Sequence, residues 1–262
     1  MPLQPGYSTP DRTMKQLLWW ICLLVAPLVL ISIELFHPAN FTTTPGMYQF
    51  LSHAEQHYDP TYQSLGYFGP EWWFLLHMTQ TPMVGLVAVG LWLMIDDVGG
   101  GDGTAAMVCA WLGRVAIFVF AVYFTVLNAI GGIGLGRTIV VVEGLKLSPP
   151  QLDAIVALLN TMWTDHWVGG VKSIVSLTAS WAAFVSSVLV AATLLLSGRV
   201  SGAGGWVNMA VLLGFGWQLQ DSHAALHGPI AFALLIVASA WLWWSRRRLG
   251  PVAKAPPAQA AL

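Results

Sequence analysis

Charged residues are scarce in this chain. Lys, Arg, Asp and Glu make up 9% of its 262 residues, while 56% are hydrophobic. A water-soluble domain carries roughly 25% charged residues. Because so few charges cannot cover a globule in water, lipid must solvate much of the surface, and the lipid bilayer is the expected partner. The net charge of −1 lacks the basic excess that holds nucleic acid, which excludes nucleic-acid binding.

Cysteine and the familiar catalytic motifs are also rare or missing. Cys22 and Cys109 are the two cysteines, and both fall near the cytoplasmic ends of predicted apolar segments, where a thiol usually packs as a small hydrophobic group. A disulfide framework is therefore excluded. The sequence contains no HExxH, GxSxG or CxxC motif, so no short motif assigns a reaction.

Six apolar stretches can enter a bilayer as helices: 17–36, 71–95, 115–135, 173–196, 206–220 and 228–244. The last two are short for a hydrocarbon core of about 30 Å. An alternative interpretation joins them into one broken re-entrant element, which leaves five spans. We predict an all-α integral membrane protein, a bundle of about six transmembrane helices.

The flanks of these stretches predict an orientation, because Lys and Arg favour the cytoplasmic side of a membrane. With the N-terminus inside, eight of the 11 basic residues lie in cytoplasmic flanks. We therefore predict a cytoplasmic segment 1–16, one transmembrane domain 17–245 and a cytoplasmic tail 246–262. The tail is rich in Pro and Ala and is expected to be disordered. The predicted location is a cell membrane, inner or plasma.

Two outward loops are predicted to carry short surface helices. Residues 47–58 follow a Thr-Pro-Gly start, and residues 149–167 follow the capping-box pattern of Ser148 and Gln151. The second helix has an apolar stripe, for which we expect a position flat on the outer membrane surface: Leu152, Ile155, Val156, Leu159, Met162 and Trp163.

The third apolar stretch ends in a glycine run that includes Gly132 and Gly136, one helical turn apart. It lacks the preceding strand and the spacing of a nucleotide-binding loop. Close packing of a neighbouring helix is the predicted role.

All seven histidines fall on the outward side of this topology: His37, His53, His57, His77, His166, His223 and His227. Four of them form two pairs at i,i+4 spacing, His53 with His57 and His223 with His227. Within a helix, this spacing places two side chains on one face. Neutral imidazoles are good ligands for zinc, copper and iron, so the pattern indicates a metal or heme site. A solvated helix face is the alternative for the first pair.

His77 lies inside a predicted span, where an ionisable side chain needs a partner or a water-filled cavity. Glu34 and His37 stand at i,i+3 spacing near the outer end of the first span, and Asp221 ends the fifth. The hypothesis is a metal site of His37, His77, His223 and His227.

Under this hypothesis Glu34 or Asp221 acts as the catalytic base on zinc-bound water. With copper the site would be redox active. A heme b would take His77 and one histidine of the later pair, such as His227, as its axial ligands. Asp165 and His166 are candidates for a lid above the site.

The main alternative is a non-catalytic protein, namely an accessory subunit, a small-solute carrier or an assembly factor. In that case His77 is a neutral side chain that hydrogen-bonds another helix. A membrane-protein partner or a homo-oligomer is compatible with either hypothesis. The sequence leaves the choice open.

The combination of His77 with His223 and His227 resembles the alkaline ceramidase and adiponectin-receptor group of membrane zinc hydrolases. The resemblance covers these three residues. That group has seven spans and a serine one turn before the first histidine, where this chain has Trp73. We therefore transfer no activity from it.

Overall fold

The computed structural model describes residues 9–37, 70–170, 172–224 and 226–248. Their regular structure is helical. The predicted outer helix 47–58, with His53 and His57, lies outside the described residues, as does most of the tail. The described α-helices are α1 (Thr9–Trp20), α2 (Ala26–Glu34), α3 (Pro70–Met94), α4 (Thr104–Leu127), α5 (Leu135–Gly144), α6 (Pro149–Trp163), α7 (Ile174–Leu196), α8 (Gly202–Asp221) and α9 (His227–Arg248).

Five helical segments of the described residues are long and apolar enough to cross a membrane: Thr13–Glu34, Glu71–Met94, Thr104–Val142, Ile174–Leu196 and His227–Ser245. This confirms a multi-pass membrane protein of helices. The remaining predicted stretch, 206–220, lies in α8, a helix of 20 residues that packs against α7 and α9. At 1.5 Å per residue it is about 30 Å long, enough for a bilayer core. It is less apolar than the other five because it contains Asn208, Gln218 and Gln220.

Two of the membrane helices contain π-helical segments. Ile21–Val25 joins α1 to α2, and Asn128–Gly134 joins α4 to α5. The second segment lies within the 39-residue stretch Thr104–Val142, which extends well beyond the predicted 115–135. Such a helix is about 58 Å long, nearly twice the bilayer core, so at least one end projects from it.

The helix α6 packs on α5 rather than standing alone. Leu159 lies in a buried cluster with Leu135, Ile139 and Val142 of α5 and Trp73 of α3. The predicted stripe of α6 therefore faces protein, apart from Met162, which is 51% exposed. The predicted capping box is confirmed, although the helix ends at Trp163 instead of Trp167. Its placement on the membrane surface stays a prediction.

The first and last described helices run antiparallel. The rings of Trp19 and Trp20 in α1 lie 6.0 and 5.2 Å from the ring of Trp243 near the end of α9. At the opposite end, Glu34 of α2 faces Gly228 of α9. The start of α1 and the end of α9 therefore lie at the same end of the bundle.

An ionic cluster joins the loops at that end. Lys15 Nζ lies 2.8 Å from Asp96. Arg199 pairs with Asp97 and, at 3.1 Å, with Asp102. The backbone N–H of Gly99 lowers the pKa of Asp102, burial opposes this, and Arg199 lowers it further. The cluster ties the loop between α3 and α4 to the loop between α7 and α8.

We expect Arg199→Gln to lower the free energy of unfolding by about 1 kcal/mol, since partly exposed ion pairs contribute modestly. Because the folded pKa of Asp102 is depressed, its contribution is present above the unfolded pKa and is lost as pH falls through the folded pKa. Thermal unfolding in detergent at neutral and acid pH measures both effects. Lys15→Gln removes the more exposed pair with Asp96 and serves as the control. A larger loss of unfolding free energy for Lys15→Gln than for Arg199→Gln would contradict the stabilising role of the Arg199 ion pairs.

Candidate metal centre

The ring of His77 is held on α3 in a defined tautomer. Its Nδ1 lies 2.7 Å from the carbonyl oxygen of Trp73, one turn earlier, and the side chain is 3% exposed. A carbonyl oxygen only accepts hydrogen bonds, so Nδ1 carries the proton and donates it. The lone pair is therefore on Nε2. Metal-binding histidines are commonly oriented by such a second hydrogen bond.

The π-helical segment Asn128–Gly134 forms a wall against His77. A Cβ atom at Gly132 would lie only 2.1 Å from His77 Cγ, and one at Gly136 would lie 2.9 Å from Trp73 Cδ1. Trp73 Nε1 also donates to the Gly131 carbonyl oxygen, at 3.1 Å. These contacts confirm that the glycine run serves close helix packing.

His37 and His223 approach His77 from two other parts of the chain. His37 follows α2, where its N–H donates to the Glu34 carbonyl oxygen at 3.1 Å. Its ring centroid lies 5.3 Å from that of His77 and 5.0 Å from that of His223. His223 is half-buried in the loop between α8 and α9, with its ring 5.4 Å from Phe124. Burial lowers the pKa of His223 to about 4, so its imidazole is neutral at pH 7, the form that binds metals.

One potential ligand nitrogen from each of these three histidines lies within 4.8 Å of the other two. A filled tetrahedral site, with metal–nitrogen bonds of about 2.0 to 2.1 Å, has nitrogens about 3.4 Å apart. A closing movement of roughly 1 Å therefore suffices to bring them onto one ion. We call His37, His77 and His223 the histidine triad.

A buried carboxyl group lies one turn below the triad. Glu34 is 0% exposed, and its Oε1 accepts a hydrogen bond from Gln80 Nε2. Glu34 precedes His37 by three residues, and Gln80 follows His77 by three, so the same two helices supply both layers. Glu34 Oε2 and Gln80 Oε1 have no hydrogen-bond partner among the described residues. Such buried atoms are costly unless a ligand or water satisfies them.

The other predicted site residues lie elsewhere. His227 begins α9, and its Nδ1 is 2.9 Å from Gln218 Oε1 and 3.3 Å from Asp221 Oδ2. Asp221 is 61% exposed at its side chain. His166 is exposed and Asp165 accepts backbone hydrogen bonds from the turn that follows it.

Three contributors to the site were not singled out from the sequence. Trp73 positions His77, Phe124 lies against His223, and Asn128 is buried in the wall. Asn128 gave the only available signal, a lone amide in an otherwise apolar span. The two aromatic residues are indistinguishable in sequence from the many others in this chain.

No match to this chain is found among protein-family models, curated proteins or solved structures. The resemblance to the membrane zinc hydrolases therefore still covers only three residues, His77, His223 and His227.

Proposed function

We propose that this chain is a membrane metalloprotein that binds one divalent transition-metal ion, zinc in the first instance, through the histidine triad. The observation that carries the proposal is the convergence of nitrogens from three separate parts of the chain within 4.8 Å. The fixed tautomer of His77 adds a prepared ligand atom, Nε2. The side chains of Trp73 and Phe124, which lie against the triad, offer no ligand atom, so imidazole nitrogen defines the donor set, which suits zinc and copper.

The buried Glu34 supports the same proposal through charge. Three neutral imidazoles leave the two positive charges of a divalent ion uncompensated in a buried site. A carboxylate in the adjoining layer offsets that charge, and the ion in turn offsets the cost of burying the carboxylate. Asp221 is less suitable for this role because it is mostly exposed and lies beside His227.

The reaction class that fits this arrangement is hydrolysis. Three protein ligands leave a fourth position on zinc for water, as in catalytic rather than structural sites. A zinc ion held by the triad would act as a Lewis acid on water, and Glu34 in the adjoining layer would accept the proton that the water loses. The substrate would carry an electrophilic carbonyl or phosphoryl centre and would reach the site from the outer end of the bundle.

Heme is a weaker candidate for this site. Gly132 lies so close to the His77 ring that a single added methyl group would overlap it. Trp73 covers the ring as well, with a centroid distance of 4.4 Å. A porphyrin plane bound at His77 needs open space around that ring, which these contacts occupy.

Metal analysis with an absorption spectrum of the purified protein tests the proposal. We expect about one zinc per chain and no visible absorption. Stoichiometric copper would make the centre a redox site. A Soret band in the absorption spectrum would show bound heme in place of the metal ion. A colourless, stably folded protein that takes up neither Zn²⁺ nor Cu²⁺ would contradict the metal centre and favour the accessory, carrier or assembly-factor alternative.

We also propose that α8 crosses the membrane, which makes six crossings with both termini cytoplasmic. The contact of Trp19 with Trp243 supports this, because it brings the two ends of the described chain together. We expect Ser197→Cys and Leu226→Cys, at opposite ends of α8, to react with an impermeant thiol reagent from opposite sides. The background lacks Cys22 and Cys109, and only Leu226→Cys should react in intact cells. Labelling of both from one side would favour five crossings.

A further inference from the structure

Asn128 is buried, and no described residue forms a hydrogen bond with its side chain. The side chain is 1% exposed, and neither Nδ2 nor Oδ1 has a hydrogen-bond partner among the described residues. An unpaired buried amide costs stability on both its donor and its acceptor side. The residue also begins the π-helical segment Asn128–Gly134, and such interruptions are frequent at functional sites.

The neighbours of Asn128 along the helix place it at the candidate metal centre. Phe124, four residues earlier, lies against His223, and Gly132, four residues later, lies against His77. Residues at i and i+4 share a face of a helix. Asn128 therefore faces the triad from between these two contacts.

The depth of Asn128 follows from the packing of α3. Gly136 meets Trp73, and Gly132 meets His77, so the two helices run antiparallel at this contact. Asn128 comes one turn before Gly132, and Gln80 comes one turn after His77, so Asn128 lies at the level of Gln80. The layer below the triad thus contains three polar side chains, Glu34, Gln80 and Asn128, each with at least one unpaired buried atom among the described residues.

We infer that Asn128 is the positioning residue for an oxygen ligand at the open position of the metal. The inference rests on the proposed metal centre and extends it. The amide Nδ2 donates to the ligand oxygen, and Oδ1 accepts from a water or hydroxyl proton. Glu34 Oε2 and Gln80 Oε1 supply the remaining acceptors in the layer below the triad. The ligand class is a small oxygen donor, with water as its resting member.

Cobalt-loaded protein and acetohydroxamate, which binds metals through oxygen, provide the test. Asn128→Leu keeps the size of the side chain and removes both amide groups. We expect its Co²⁺ affinity to stay within about threefold of the wild type, because Asn128 is not a metal ligand. Acetohydroxamate should bind about tenfold more weakly, which corresponds to one hydrogen bond, and the visible Co²⁺ spectrum should change.

Thermal stability separates a positioning role from a structural one. Removing an unsatisfied amide should leave the Tm of Asn128→Leu unchanged or raised. The matched control is Asn208→Leu, since Asn208 is equally buried but donates to the Ala238 carbonyl oxygen at 2.9 Å. That variant should lose stability and keep the acetohydroxamate affinity.

The two proposals fail in different ways. Wild-type protein that binds no Co²⁺ would overturn the metal centre and the inference with it. Co²⁺ binding with unchanged acetohydroxamate affinity in Asn128→Leu would overturn the role of Asn128 alone. A lowered Tm of Asn128→Leu together with that unchanged affinity would make Asn128 a structural residue.

Discussion

His77→Ala is expected to remove stoichiometric metal from the purified protein and to weaken Zn²⁺ binding by at least about 100-fold. Loss of an outer partner of a ligand already costs 10- to 100-fold in metal affinity, so loss of a ligand should cost no less. His77 is also the best prepared ligand of the triad, because α3 and the Trp73 carbonyl oxygen fix its ring. His37→Ala and His223→Ala should give losses in the same direction.

The control for this experiment is His166→Ala. It removes a histidine from the same outward side of the predicted topology, but one that is exposed and apart from the triad. Metal content should be unchanged in this variant. Size-exclusion chromatography and tryptophan fluorescence establish that each variant is folded before its metal is measured. Full metal occupancy in folded His77→Ala and His223→Ala would show that the ion binds elsewhere.

Hydropathy was sufficient to find the membrane helices but not their lengths. The stretch 115–135 marks the most apolar part of a helix that continues from Thr104 to Val142. Polar residues such as Arg137 and Thr138 do not end this helix. The Thr138 hydroxyl, for example, donates a hydrogen bond to the Gly134 carbonyl oxygen one turn earlier. Ser148 and Gln151, by contrast, mark the start of α6 through local hydrogen bonds. The start of this helix could therefore be predicted from the sequence.

The spacing of His223 and His227 shows where sequence reasoning stops. Four-residue spacing places two side chains on one face only within a helix. Because α9 begins at His227, His223 belongs to the preceding loop, and the two imidazoles occupy different positions. Meanwhile His37, which has no spacing relationship to His77, reaches it through the packing of α2 on α3. Such a contact depends on tertiary packing, which local spacing does not encode.

The candidate site also depends on Gly132, a residue with no side chain, because its backbone lies against the ring of His77. Gly132→Ala should lower the free energy of unfolding by about 1 to 3 kcal/mol, the usual cost of overpacking. The new Cβ would lie 2.1 Å from His77 Cγ and 2.5 Å from His77 Cβ. Because the His77 ring must move away, Zn²⁺ binding should weaken together with stability.

Gly85→Ala is the matched control, since Gly85 lies in α3 with nothing within 4 Å of an added Cβ. Alanine favours helix over glycine by about 1 kcal/mol, so this variant should be neutral or stabilised. Chemical unfolding in detergent gives both free energies.

A double variant then tests whether the contact itself is responsible. His77→Gly removes every atom that the new methyl group at position 132 would meet on that side chain. In this background Gly132→Ala should become neutral or stabilising, because the methyl group occupies the vacated space and helix propensity improves. If Gly132→Ala lowers stability equally in the wild type and in the His77→Gly background, the strain does not come from the contact with His77. A reversal of sign would establish that Gly132 is small because the imidazole of His77 lies against it.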